Sequence, residues 1–129
     1  MQRDDVNPWE WSKAFGFSQG VALSGASRIL VCSGQAAVGP DGSPPTTVDV
    51  AEQVRAALAN LSTVLAGADM SPAEVVKITV YTTDVDAVLG AWGAVTETFG
   101  TNLPASTLVG VTRLAFPELK VEIEAIAAA

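Results

Sequence analysis

The chain has no histidine and one cysteine, Cys32, among its 129 residues. Zinc sites draw three or four ligands from imidazole, thiolate and carboxylate groups, so the usual nitrogen and sulfur site cannot be built here. The same shortage removes serine–histidine and cysteine–histidine nucleophile pairs. It also rules out an internal disulfide, and a lone thiol suits a reducing, cytoplasmic setting. Basic residues are scarce too: seven lysines and arginines face fourteen acids, leaving a net charge of −7. They fall singly at Arg3, Lys13, Arg28, Arg55, Lys77, Arg113 and Lys120, whereas nucleic-acid binding calls for a clustered basic stripe. Long apolar runs are absent as well. None approaches the ~20 residues of a membrane span, and no charged-then-apolar leader opens the chain. Any chemistry must rest on carboxylates, hydroxyls, backbone groups or water, with no metal and no cofactor expected.

What the chain does have is apolar mass: 49% of its residues are hydrophobic and only 16% charged. A chain of this length forms one domain and buries roughly 68% of its unfolded surface. The apolar content exceeds what such a monomer needs, which points to an apolar face packed against other subunits.

Residues 1 to about 13, with Asn7-Pro8-Trp9-Glu10-Trp11, read as an N-terminal arm anchored by packed tryptophans, with stacking on a ligand as the alternative role for Trp9 and Trp11. Phe15 to Leu23 suits a strand, and Arg28 to Ser33 a second strand paired with it as a hairpin. Gly39 to Pro45 is turn chemistry. Thr47 or Asp49 then starts a helix, with Val50, Val54, Leu58, Leu61 and Leu65 on one stripe and Gly67 as its stop. Val75 to Thr82 is the clearest strand, rich in β-branched residues. A second helix is predicted from Asp84, a natural N-cap, to Phe99. Its stripe is Val85, Val88, Leu89, Trp92, Val95 and Phe99, and Gly90 and Gly93 weaken it. Two strands close the chain, Ala105 to Val111 and Leu119 to Ala127. The result is an α+β order, with two helices on one face of a mixed sheet.

In the last strand Val121, Ile123, Ala125 and Ala127 point one way and Lys120, Glu122, Glu124 and Ile126 the other. The first set suits the face under the helices. The second places two carboxylates beside an isoleucine, and reads either as a solvated face or as one lining a partly wet cavity between subunits.

Taken in order, Phe17-Ser18-Gln19-Gly20, Cys32-Ser33-Gly34-Gln35, Ala56-Ala57-Leu58-Ala59-Asn60-Leu61, Val75 to Tyr81, Asp84-Val85-Asp86, Pro104-Ala105 and Val121 to Ala127 resemble the RidA/YjgF family of enamine/imine deaminases. The resemblance runs from about Phe15 to Ala127. It implies a chorismate-mutase-like fold and a homotrimer with a central barrel-like assembly. It also implies three small-molecule sites in clefts between subunits.

In active deaminases of that family an arginine after Pro-Ala clamps the substrate carboxylate, and a last-strand glutamate positions the attacking water. A first-strand tyrosine and backbone amides after the Ser-Gly-Gln turn complete the site. Carried onto this chain, the glutamate is Glu122, the turn is Ser33-Gly34-Gln35, the tyrosine position is Phe17 and the arginine position is Ser106. An asparagine often found in the second helix falls on Trp92, which also reads as an ordinary core residue of its stripe. Arg113 lies seven residues from Ser106, an odd offset that turns it to the opposite face of a regular strand. Arg28 and Lys120 are the other candidates to replace the clamp.

The resemblance therefore implies Glu122 as general base, Ser33, Gly34, Ser106 and Thr107 as hydrogen-bonding groups, and Phe17 and Trp92 as apolar walls. The expected function is hydrolysis or tautomerisation of an enamine, imine or related carbonyl compound, with weak or no activity on carboxylate-bearing 2-imino acids. The alternative is a non-catalytic trimeric small-molecule-binding protein. A third reading is a structural or chaperone-like trimer, or the RNA cleavage attributed to the family, which the acidic charge and missing histidine disfavour. Neither nucleic acid nor membrane is an expected partner.

Overall fold

The computed structural model describes residues 1–129, in the order β1 (Gln2–Val6), α1 (Trp11–Ala14), β2 (Gly20–Ser24), β3 (Ile29–Ala36), α2 (Val50–Gly67), β4 (Val75–Thr82), α3 (Val85–Gly90), α4 (Trp92–Phe99), β5 (Ala105–Gly110) and β6 (Val121–Ala128). Four strands make one sheet in the order β3-β6-β4-β5. The β3–β6 and β6–β4 pairs are antiparallel, while β4 and β5 run parallel because α3 and α4 cross over between them.

Alternation decides what the sheet buries. Ile78, Val80, Val121, Ile123, Ala125 and Ala127 face α2, α3 and α4, and join Val54, Leu61, Leu65, Val88 and Val95 in the core. Full burial of each large aliphatic chain is worth about 1.5–3 kcal/mol. The helix α2 begins where Asp49 accepts a hydrogen bond from the Glu52 amide at 2.8 Å. Both β4 and α2 match the predicted elements.

The second predicted helix is broken. It ends at Gly90 and restarts at Trp92, with Ala91 at φ −106° and ψ 9°. The flanking Gly90 and Gly93 add no side-chain packing that would hold one continuous helix, and Leu89 turns out to solvent. Asp84 caps α3 as expected, accepting from the Ala87 amide.

The N-terminal region departs most from the sequence reading. The predicted strand from Phe15 is confined to Gly20–Ser24, because Phe15 closes α1 and Gly16 turns the chain at φ +77°. A Cβ at Gly16 would run into Thr96 of α4, so only glycine fits this crossing. The expected hairpin partner is also replaced: β2 pairs with β1, and β3 pairs with β6. Arg3 fixes β1 by donating to the carbonyls of Ala73, Val75 and Leu103 at 3.0–3.1 Å, while its Nε meets Asp5. The tryptophans are not packed anchors, since Trp9 is 61% and Trp11 55% exposed.

One buried polar side chain ties the loop before β6 to the helix layer. Gln53 Nε2 donates to the Thr47 and Glu118 carbonyls, and its Oε1 accepts from the Lys120 amide at 2.8 Å. Replacing Gln53 with leucine strands all three backbone groups, so the variant is expected to lose about 2–4 kcal/mol in urea unfolding. A loss below about 0.5 kcal/mol would show that the network contributes little.

Candidate functional site

The residues singled out from sequence fall on two sides of the sheet. Ser106 lies opposite Ile78, on the face covered by helices. Glu122 lies opposite Tyr81, on the outer face. Strand alternation therefore holds the two apart within one chain.

On the helix side is a cavity of about 740 Å³ lined by Trp11, Ala14, Phe15, Phe17, Leu89, Trp92, Gly93, Thr96, Ser106 and Leu108. None of the ten is charged. Phe17 is brought beside the start of β5 by its neighbour Ser18. The Ser18 amide donates to the Pro104 carbonyl at 3.1 Å and its hydroxyl to the Leu103 carbonyl at 2.7 Å. Trp11 meets both Phe15 and Phe17 edge-on, with ring centroids 6.1 and 5.6 Å apart. Trp92 is half-buried and donates its Nε1–H to the Phe15 carbonyl at 3.0 Å, so it forms a pocket wall tied to α1.

On the outer face β3 carries a register irregularity between Cys32 and Gln35. Gly34 sits in it, and the Glu122 side chain lies across the space a Cβ would fill, its Cδ and Cγ at 2.7 and 2.8 Å from that point. Glycine is thus required for the glutamate to lie against β3. Glu124 accepts from the Tyr81 hydroxyl at 2.6 Å, while Glu122 has no hydrogen-bonded side chain or ion pair within the chain. Thr107 is also on this face, accepting from Lys77 Nζ at 2.7 Å. Ser33 is exposed in the bulge.

Phe17, Trp92 and Ser106 therefore come together, as do Gly34 and Glu122 beside Ser33, while Thr107 is separated from Ser106 by the sheet. Within one chain no cation reaches Ser106. Arg113 and Arg28 are exposed, Lys120 is held through its backbone by Gln53 and Thr82, and none of the three lines the cavity. Arg3 approaches Leu103, but its guanidinium is occupied by carbonyls and Asp5. The sequence reading held a ligand role for Trp11 only as the alternative to packing and missed Phe15 as a lining residue, although their i, i+4 spacing is the signal that puts two side chains on one helical face.

A family model described as Endoribonuclease L-PSP, that of the RidA/YjgF proteins, matches residues 11–129. The chain belongs to the RidA/YjgF family. It is 34% identical to the 2-iminobutanoate/2-iminopropanoate deaminase of Escherichia coli over 115 residues, 86% of this chain and 85% of that protein. It is 32% identical to the mitochondrial protein mmf2 of Schizosaccharomyces pombe over 99% of both chains. The crystal structure of YyfB, a Rid-family protein of unknown function from Yersinia pestis, superposes with a TM-score of 0.91 at 33% identity over all of both chains. The RidA/YjgF fold expected from sequence is thus the fold observed. No helix is long and apolar enough to cross a membrane.

Tyr81 provides a probe of the outer face of this RidA/YjgF sheet. The bond to Glu124, followed by burial and the Glu124 charge, pushes its phenol above the ordinary value near 10. A raised pKa in the folded state means stability present below pH ~10 and lost as pH climbs through the folded value. Tyr81 is the single tyrosine of the chain. Absorbance titration of phenolate is therefore expected to show one midpoint above ~10 that falls in Glu124→Gln. An unshifted midpoint in the unaltered protein would contradict the Tyr81–Glu124 bond.

Proposed function

We propose that this protein hydrolyses or tautomerises a small enamine, imine or related carbonyl compound as a homotrimer whose sites are completed between subunits. The observation that carries this reading is the division of the family's site positions between two sheet faces. An uncharged cavity with Phe17, Trp92 and Ser106 lies on one, and an unpartnered Glu122 lies on the other. A reaction using both needs the outer face of one chain to meet the cavity of another. Ile29, Val31 and Ile126, exposed together on the outer face, offer apolar surface for that packing.

In such a cleft Glu122 takes a proton from water as the water oxygen bonds to the C=N carbon. The nitrogen gains a proton, the C–N bond breaks, and a carbonyl compound and an amine or ammonia depart. In tautomerisation the same carboxylate moves a proton between carbon and nitrogen. Backbone amides around Gly34 and the Ser33 hydroxyl stabilise the oxygen, and Phe17 and Trp92 exclude solvent.

The substrate range follows from Ser106. A charged hydrogen bond to a carboxylate is worth about 1.5–3 kcal/mol, and a neutral serine supplies less. Imines without a carboxylate are therefore the favoured class, in contrast to the substrates named for the E. coli relative. The absence of histidine and of charge in the cavity argues against RNA cleavage. The loss of polar groups at Phe17 and Ser106 also suits a trimer that binds a ligand without turning it over.

Turnover separates these readings. Hydrolysis of carboxylate-free imines, abolished in Glu122→Ala, is expected, with 2-iminopropionate at least about tenfold slower than in the E. coli deaminase and improved by Ser106→Arg. Light scattering should give a trimer mass. Ligand binding without turnover of any imine would favour the non-catalytic reading, and full activity of Glu122→Ala would remove that carboxylate from the mechanism.

A further inference from the structure

The cavity beside Ser106 carries more information than the missing arginine. Four of its walls are aromatic: Trp11, Phe15, Phe17 and Trp92. Its volume of about 740 Å³ lies within the range of small-molecule sites. Flat, uncharged rings match such walls by edge-to-face and offset packing.

The polar groups narrow the ligand further. Ser106 Oγ donates to the Pro104 carbonyl at 3.2 Å, Thr96 Oγ1 to the Gly93 carbonyl at 3.0 Å, and Trp92 Nε1 to the Phe15 carbonyl. A hydroxyl has one hydrogen and two lone pairs, so Ser106 and Thr96, bonded as they are, present lone pairs to a ligand. Trp11, at the exposed rim, is the remaining indole, and it is neutral. A ligand that brings hydrogens of its own satisfies the two hydroxyls as they stand, whereas a carboxylate gains their hydrogens only by breaking the bonds to Pro104 and Gly93.

Two of the aromatic walls, Trp11 and Phe15, sit at the two ends of α1, which the N-terminal arm carries. The family model begins at residue 11, so β1 lies outside it, while YyfB superposes over the whole chain. β1 is fixed by Arg3 and by pairing with β2. Asn7 Oδ1 accepts from the Ser12 hydroxyl and the Gln19 amide, which seats α1 with Trp11 and Phe15 over the cavity.

We infer that this cavity takes an uncharged, flat aromatic group carrying an N–H or O–H donor, and that the arm-borne Trp11 and Phe15 set this preference. The inference rests on the cavity being the ligand site proposed above and names the class of compound it accepts. An aryl enamine, or an imine bearing N–H on an aromatic ring system, has both features.

The test uses the whole protein at pH 8 and three matched probes, p-toluidine, 4-methylanisole and 4-methylbenzoate, in calorimetric and saturation-transfer NMR binding measurements. The expected order is p-toluidine tightest, 4-methylanisole weaker for want of a donor, and 4-methylbenzoate about tenfold or more below p-toluidine. Trp11→Ala and Phe15→Leu should each weaken p-toluidine several-fold with the melting temperature unchanged, and Ser106→Ala should erase the advantage over 4-methylanisole. Equal binding of 4-methylbenzoate, no binding of p-toluidine, or p-toluidine affinity untouched by both arm variants would overturn the inference. Turnover of aliphatic imines without p-toluidine binding defeats this inference alone. Binding of p-toluidine with no imine turned over defeats the proposed reaction alone.

Discussion

A single-layer sheet sends neighbouring side chains to opposite faces, and the arrangement of this molecule depends on that alternation. Ser106 shares the register of Ile78 and faces the helices, whereas Glu122 shares that of Tyr81 and faces away. The helix side is closed by α2, α3 and α4 over an aliphatic core. The outer side is left with glutamates, Tyr81 and Lys77 beside exposed Ile29, Val31 and Ile126. Within one chain neither face alone gathers all the residues that the family resemblance singles out. The carboxylate lacks a pocket, and the pocket lacks a carboxylate.

Each half is built by non-local contacts. Glu122 depends on the bulge at Gly34, where a side chain would occupy the carboxylate's place. The aromatic pocket depends on the arm, which reaches it through Arg3 bonds to carbonyls about seventy and a hundred residues away in sequence. Gly16 then lets α1 pass close to Thr96. The family scaffold thus carries an aromatic, uncharged cavity on its helix side and Glu122 on the opposite face of the sheet.

The strongly periodic elements were legible in the sequence. Val75–Thr82, the α2 stripe from Val50 to Leu65 and the two faces of β6 appear as read, because burial on one side imposes a period that few other folds produce. β1 was illegible: Gln-Arg-Asp-Asp-Val has little strand propensity and is a strand only because β2 and distant carbonyls receive it. The helix break at Ala91 hinged on two glycines whose effect depends on packing. Glu122, Phe17, Trp92 and Ser106 could be located through the family resemblance. Alternation alone sends Ser106 and Thr107 to opposite faces, but which of them faces the helices required the register of β5 against β4. Phe15 stayed hidden, and Trp11 read first as packing, because a four-residue helix closed by Phe15 is too short for its period to stand out.

The central claim is that the Ser106 cavity and Glu122 meet only across chains. Its most direct test is cross-linking of a Ser106→Cys/Glu122→Cys double variant, in a Cys32→Ala background, with a short bismaleimide in dilute solution. The account predicts covalent dimers and trimers on a denaturing gel, with neither single variant giving trimers. A double variant that stays monomeric on the gel, with both thiols fully modified, would contradict it.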